Sequence, residues 1–366
     1  MKLVLNGHDE RYVVEQGMLN LFPGERPVYE PIGPGDDSWA VVTLREDDRC
    51  HVTVELCFRG KSLPYSLDVP LVGDEFQREG IRRRAIGKCF FLAARALTGH
   101  TPPWGMLTGV RPVKLPTRAL LSGATPLQAK QELREEYYVS PDRAALAVDC
   151  AQASIAAQRS LKEGEVSLYL GIPFCPTRCA YCSFVSADVG RTLTLVEPYV
   201  DALLKEIDGT ARVLTESGRT IRSFYMGGGT PTTLSARQLD RVLTRCEQVL
   251  PLEGCTELTV EAGRPDTINR EKLEVLRAHG VGRVSINPQT LEDHVLEAIG
   301  RKHSSGDIQT AYDLARKVGF DCINMDLIAG LPLDSLGGFR RSLDGVLAMG
   351  PENITVHTLA MKKGST

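Results

Sequence analysis

The sequence predicts an α/β protein, a partial (β/α)₆ barrel preceded by a small α+β module. Three observations lead there. From Glu165 onward, six short apolar runs alternate with helical stretches, the rhythm of a parallel sheet with helices outside it. Before that point, residues 40–70 alternate apolar and polar side chains with the period of half-buried strands. The residue types that carry chemistry recur just after the strand ends, where α/β folds build their sites. A doubly wound open sheet is the competing architecture.

Taken in order, AVVTLRE (40–46) and HVTVELCFRG (51–60) read as a hairpin joined by Asp47-Asp48-Arg49, with KSLPYSLDVP (61–70) as a third strand. Helical spacing follows from Glu75 to Leu97. The Arg82–Arg84 triplet on it reads as a solvated helix face. A Pro/Gly-rich segment, HTPPWGMLTGVRP (100–112), interrupts the chain. Helical stretches resume at Pro126 and at Ser140-Pro141-Asp142, an N-cap with Pro in the first turn, and run to about Leu161. Residues 1–164 are therefore expected to form one module with a helical connector, and residues 165–366 the barrel. Barrel strands are expected at 166–172, 221–227, 256–262, 282–288, 322–328 and 353–359. The helices between them are expected at 195–217, 235–250, 269–279, 291–299 with 306–318, and 336–348. Ser235 is one of several capping residues at their starts.

The totals exclude several function classes. A net charge of −3 gives no electrostatic reason to expect nucleic acid. No apolar run is long enough to span a bilayer, and MKLVLNGHDERYVV turns polar too early for a signal peptide. A cytoplasmic protein is expected. In a reducing cytosol, clustered cysteines among the ten read as metal or redox ligands rather than bridges. The seven outside the cluster read as buried small side chains.

The cluster is Cys175, Cys179 and Cys182 in LYLGIPFCPTRCAYCSFVS, on the loop after the first barrel strand. Three thiolates within eight residues can hold three corners of an iron–sulfur cluster and leave the fourth iron without a protein ligand. Zinc is the rival, but structural zinc takes four ligands, and the next cysteine in sequence is Cys150. Gly227-Gly228-Gly229 after the second strand allows close approach of a ligand to the backbone, or else a tight strand-to-helix turn. Glu261 ends an apolar strand, placed to accept bonds from hydroxyl or ammonium groups, or else to act as a cap or surface charge.

The cysteine loop, with Tyr181 before its third cysteine, resembles that of the radical S-adenosylmethionine (SAM) family. The resemblance implies a 4Fe-4S cluster whose open iron binds the amino and carboxylate groups of SAM. One electron from the cluster then splits SAM, and the resulting 5′-deoxyadenosyl radical takes a hydrogen atom from substrate. YLGIPFCPTRCAYCSF, MGGGTPT, TVEAGRPDTI, INPQT, IGRKH and MDLIAGLP, across about 165–366, come in the order seen in oxygen-independent coproporphyrinogen III oxidases and their relatives. The WGMLTGVRP segment resembles the coproporphyrinogen dehydrogenase (HemZ-type) branch. By that resemblance Tyr169, Gly228 and Glu261 contact the cluster-bound cofactor, and Gly229, Thr230, Gln289, Arg301 and Asp326 line the rest of its cavity. Tyr181 and Arg301 are implied at the reacting side, and Ala360 falls on a cofactor-contacting position. Arg301, Arg111 and Arg178 are candidates to hold substrate propionates.

The implied reaction is oxidative decarboxylation of two propionates of coproporphyrinogen III in heme biosynthesis. The implied partners are a tetrapyrrole and an electron donor such as flavodoxin or ferredoxin. Two positions differ from the better-studied oxidases: Gly171 replaces a His and Phe184 a fourth cysteine. Phe at that place is the pattern of heme-chaperone and heme-degrading relatives, so a heme-binding chaperone on the same scaffold is the alternative. A radical enzyme acting on RNA is disfavoured by the charge and by the lack of an RNA-binding module. The family continues into a C-terminal helical domain, and this sequence is expected to lack it.

Overall fold

A computed structural model describes residues 1–109, 111–184 and 186–359, which fall into two compact units, Met1–Ser160 and Leu161–Thr366. Ala360 lies outside the described residues.

The first unit is built on a four-stranded sheet in the order β1-β2-β3-β4: β1 (Lys2–Asn6), β2 (Trp39–Glu46), β3 (Arg49–Phe58) and β4 (Lys61–Pro70). The last three strands are antiparallel neighbours, as the alternation predicts, and bury every second residue of β2. Sequence reading missed β1, which pairs parallel to β2 (Leu3 opposite Ala40), and α1 (Arg11–Leu21). A parallel partner 37 positions away leaves no local turn signal. Helix α2 (Glu75–Thr98) starts on a capping box between Asp74 and Gln77 and ends at Gly99 in the left-handed conformation. It lays Ile86, Cys89, Phe90 and Phe91 into one core with Val42, Val52, Val54 and Leu56. Helices α3 (Lys114–Leu121), α4 (Pro126–Glu135) and α5 (Pro141–Arg159) enclose a smaller core that includes Leu133, Val139 and Val148.

The second unit opens with β5 (Glu165–Ile172). A two-residue parallel pair, β6 (Phe174–Cys175) and β7 (Ala187–Asp188), brackets the cysteine loop, and α6 (Val189–Glu216) follows with a kink at Thr192. Then come β8 (Thr220–Gly228), α7 (Ala236–Val249), β9 (Glu257–Glu261), α8 (Arg270–Ala278) and β10 (Arg283–Ser285). Helices α9 (Asp293–Ala298) and α10 (Ser305–Val318), β11 (Cys322–Ala329), α11 (Leu336–Met349) and β12 (Asn353–Thr358) complete it. Side chains of Asp188, Ser235, Asn269, Ser304 and Ser335 cap their helices.

All six barrel strands are parallel and stand in chain order, β5-β8-β9-β10-β11-β12, with β5 and β12 as edges. A doubly wound sheet reverses its strand order at a switch point, so this is the partial (β/α)₆ barrel. Strand β10 is shorter than expected: Pro288 has no N–H for a ladder, and beyond Ser285 the chain leaves the sheet. It returns at Gln289 (φ +69°), which forms an isolated bridge with Leu327.

Candidate functional site

The cysteine loop leaves β5 at Ile172, and Ala187 N donates back to Pro173 O at 2.7 Å, closing it at its base. The glycine run from the end of β8 lies directly on it. Gly229 N donates to Ile172 O and Thr230 N to Phe174 O, both at 2.7 Å. A Cβ at Gly229 would stand 2.7 Å from Phe174 O and 3.0 Å from Cys175 Sγ, so no side chain fits there. Gly228 has φ +107°, a conformation that needs glycine. Thr230 Oγ1 is 3.5 Å from Cys175 Sγ.

These residues open into one cavity of about 610 Å³ at the C-terminal ends of the strands. Cys175, Cys179, Cys182, Tyr181, Gly228, Gly229, Thr230, Glu261, Gln289, Arg301 and Asp326 all line it, as do Arg178 and Phe184. Tyr169 is not part of that lining. Its ring stacks on Tyr225 (centroids 5.9 Å apart), and its hydroxyl lies beside the backbone of Gly227 and Gly228. Arg111 belongs to the first unit.

Glu261 lies beside Tyr225, whose hydroxyl donates to Glu261 Oε1 at 2.5 Å. Burial raises the Glu261 pKa above its ordinary value; the bond from Tyr225 opposes the shift and the nearby Asp326 charge adds to it. Asp326 is fixed by Asn324 Nδ2 at 2.8 Å, and Asn324 in turn accepts from Thr355 Oγ1 at 3.0 Å. His357 Nε2 stands 3.9 Å from Asp326 Oδ2 in the same cavity. Burial raises the Cys175 thiol, against the bond from Thr230.

Arg301 is buried in the wall. Its Nη1 donates to Asn287 O at 2.5 Å and its Nη2 to Tyr181 Oη at 3.2 Å, so the guanidinium braces Tyr181. Burial keeps the Tyr181 phenol protonated by raising its pKa.

A second set of residues went unnoticed in sequence. Arg264 is buried and grips Asp266 with two parallel bonds of 3.0 Å each. Its Nη1 donates to Thr177 Oγ1 at 3.1 Å and reaches Cys179 Sγ at 3.7 Å. His303 Nδ1 stands 3.4 Å from Asp266 Oδ1. Burial acts to raise the Asp266 carboxyl, but the bonds from His303 and Arg264 outweigh it and hold the pKa well below the usual range. The signal available was the charged pair inside TVEAGRPDTI, in a segment otherwise flanking an apolar strand.

The donor set fits a cluster with a bound polar cofactor. The three cysteines are free thiols on one cavity. Among the described residues, no three His, Cys, Asp or Glu side chains are grouped to hold one metal ion. A multi-iron cluster takes one thiolate per iron and needs no such convergence. Among the described residues, four further side-chain atoms of residues lining the cavity, Arg283 Nε, Asn287 Oδ1, Gln289 Oε1 and Arg301 Nε, are buried without a hydrogen-bond partner. Buried polar atoms of this kind are ordinarily satisfied, here by whatever the cavity takes.

A parallel barrel with this cysteine-lined mouth defines a class, and comparison with known proteins agrees. Residues 169–343 match the Radical SAM superfamily. The oxygen-independent coproporphyrinogen-III oxidase-like protein HemZ of Bacillus subtilis is 36% identical, across 100% of this chain and 74% of its own length. The heme chaperone HemW of the same organism is 36% identical over 54% of this chain and 51% of its own. The structure of coproporphyrinogen III oxidase (HemN) from Escherichia coli superposes with a TM-score of 0.50 at 30% identity, covering 57% of this chain and 47% of that one. The chain thus spans about three quarters of HemZ and about half of the other two. It belongs to the radical SAM superfamily and, within it, to the oxygen-independent coproporphyrinogen-III oxidase-like, HemZ-type branch.

Proposed function

We propose that this chain is a radical SAM oxidoreductase that converts coproporphyrinogen III to protoporphyrinogen IX. Cys175, Cys179 and Cys182 would hold the 4Fe-4S cluster. Gly228, Gly229, Thr230, Glu261, Gln289 and Asp326 would hold SAM, with Tyr169 at its edge. When bound, this pair would supply a carbon-centred radical able to take a hydrogen atom from substrate. A flavodoxin- or ferredoxin-type protein would deliver the initiating electron.

The chain's own residues do the positioning. Glycines at 228 and 229 carry no side chain over the backbone, so a cofactor can come close to it there. Glu261 is an acceptor for an ammonium or hydroxyl group, and Tyr225 sets its direction. Arg301 braces Tyr181 at the reacting side, where both are assigned catalytic roles. Free thiols throughout fit a protein of the reducing cytoplasm.

The observation that carries this reading is that three thiols, the glycine run, Glu261 and four unsatisfied buried polar atoms share one cavity. The test is anaerobic reconstitution, followed by incubation of the reduced protein with coproporphyrinogen III and SAM. Protoporphyrinogen formation supports the oxidoreductase. One observation favours a second reading, a heme-carrying relative: Phe184, where a fourth cysteine stands in the better-studied oxidases, is 67% exposed and lines the cavity. Stoichiometric heme binding without turnover would replace the first reading with the second.

A further inference from the structure

The charged network behind Cys179 has no part in holding the cofactors as assigned above. Arg264, on the segment leaving β9, is 3% exposed. Two of its nitrogens are locked on Asp266 in the bidentate geometry that fixes a guanidinium plane. That leaves Nη1 directed at Thr177 and at the sulfur of Cys179. Thr177 Oγ1 donates in turn to Gly300 O at 2.9 Å, tying the loop to the turn that carries Arg301 and His303. A buried charge is tolerated when paired, and Asp266 pairs this one on a different edge from the sulfur. The positive end of an Arg–Asp pair therefore faces one thiol of the three.

We propose that Arg264 is a positioning residue that holds Cys179 in place and raises the reduction potential of a cluster bound there. The proposal rests on the iron–sulfur reading of the three cysteines. Reduction adds negative charge to a cluster. A cation beside a ligating sulfur, and an N–H directed at it, stabilise the reduced form. Asp266 tempers the effect, because its negative charge stands behind the guanidinium.

The experiment uses the full chain, reconstituted anaerobically, with iron and sulfide per chain and an EPR-monitored redox titration as readouts. Failure of the wild type to take up iron overturns the cluster reading itself, before any variant is compared. With uptake established, Arg264→Gln is expected to lower the potential by about 59 mV, a tenfold change in the one-electron equilibrium. Arg264→Lys, which keeps the charge without the fork, recovers most of that shift. Asp266→Asn removes the counter-charge and moves the potential upward. A purely structural brace gives no such opposite signs. If Arg264→Gln takes up no iron although its thermal melt matches the wild type, and Arg264→Lys does take it up, the holding role stands. Unchanged potentials, shifts of the same sign in Arg264→Gln and Asp266→Asn, or loss of iron and of the melt together in all three variants would each overturn the proposal.

Discussion

The two units bury different kinds of side chain. Among the described residues, the fully buried side chains of Met1–Ser160 are apolar, with Phe90, Phe91 and Ile86 at the centre. All eleven buried polar or charged side chains, from Thr230 to Ser342, belong to Leu161–Thr366. Burying a polar group is unfavourable unless it is hydrogen-bonded, so such groups persist where they do something apolar side chains cannot. The first unit reads as a fold maintained by packing. The second retains Arg264, Gln289, Arg301, His303 and Asn324 in its interior because the mouth of its barrel is a site. Cysteine divides by role rather than by unit. Cys50, Cys57, Cys89 and Cys246 are buried as expected. Cys150 is exposed and Cys255 and Cys322 are half-buried, because they sit on faces that neighbouring elements do not fully cover, while Cys175 and Cys182 are half-buried on a cavity.

The contrast breaks most visibly at the cysteines. Cys175→Ala, Cys179→Ala and Cys182→Ala are each expected to abolish uptake of an intact cluster, read as iron per chain after reconstitution. Cys246→Ala is expected to retain it, since burial raises that thiol to about 12 and no other cysteine is paired with it. Loss of iron in Cys246→Ala as well would overturn the ligand set. Phe90→Ala tests the other side. It should destabilise the first unit by about 3–5 kcal/mol, seen as an early phase in calorimetry, with iron per chain unchanged at 20 °C.

Smaller effects sharpen the comparison. Glu261→Gln leaves the shape and removes the charge. SAM affinity in anaerobic calorimetry is expected to fall by roughly 10- to 100-fold, about 1.5–3 kcal/mol for a bond to a charged group. An unchanged affinity would remove Glu261 from the cofactor site. Gly229→Ala forces a Cβ against Phe174 O and Cys175 Sγ and should lower stability by about 1–3 kcal/mol. Gly209→Ala, on α6 with open space around it, should raise stability by about 0.5–1 kcal/mol. A like effect from both would mean the glycine run is only a turn.

The smallest expected effect is a pH dependence at His279. Burial lowers its pKa, but bonds to Asp240 and Glu247 outweigh that and hold it above the ordinary 6.5. The contribution is therefore fully present below the unfolded pKa and lost as pH rises through the folded one. His279→Gln should lower the melting temperature by about 1–2 °C at pH 6, an effect kept small because both carboxylates are solvent-screened, and by less at pH 8.5, as the imidazolium gives up its proton. A larger loss at pH 8.5 would reverse the assignment.

Much of the barrel was legible in the sequence because its signals are local. Apolar runs of strand length and caps such as Ser235 placed the strands and helices within a few residues. The spacing of Cys175, Cys179 and Cys182 pointed to three ligands before any coordinates. Gly228 and Gly229 stood out because glycine has few other reasons to be repeated. What stayed hidden joins distant parts of the chain. Tyr225 donates to Glu261 across 36 positions, Arg264 reaches Cys179 across 85, and Arg301 reaches Tyr181 across 120. Tyr225 looks like any strand aromatic until its hydroxyl meets Glu261. Arg264 looks like a surface charge until the fold buries it against Asp266. Local periodicity and residue spacing, written in adjacent residues, determined the fold class and set three cysteines on one loop. Tertiary structure alone decided which charges are buried, which atom each one faces, and hence which side chains support the site, because such pairings exist only once the strands stand side by side.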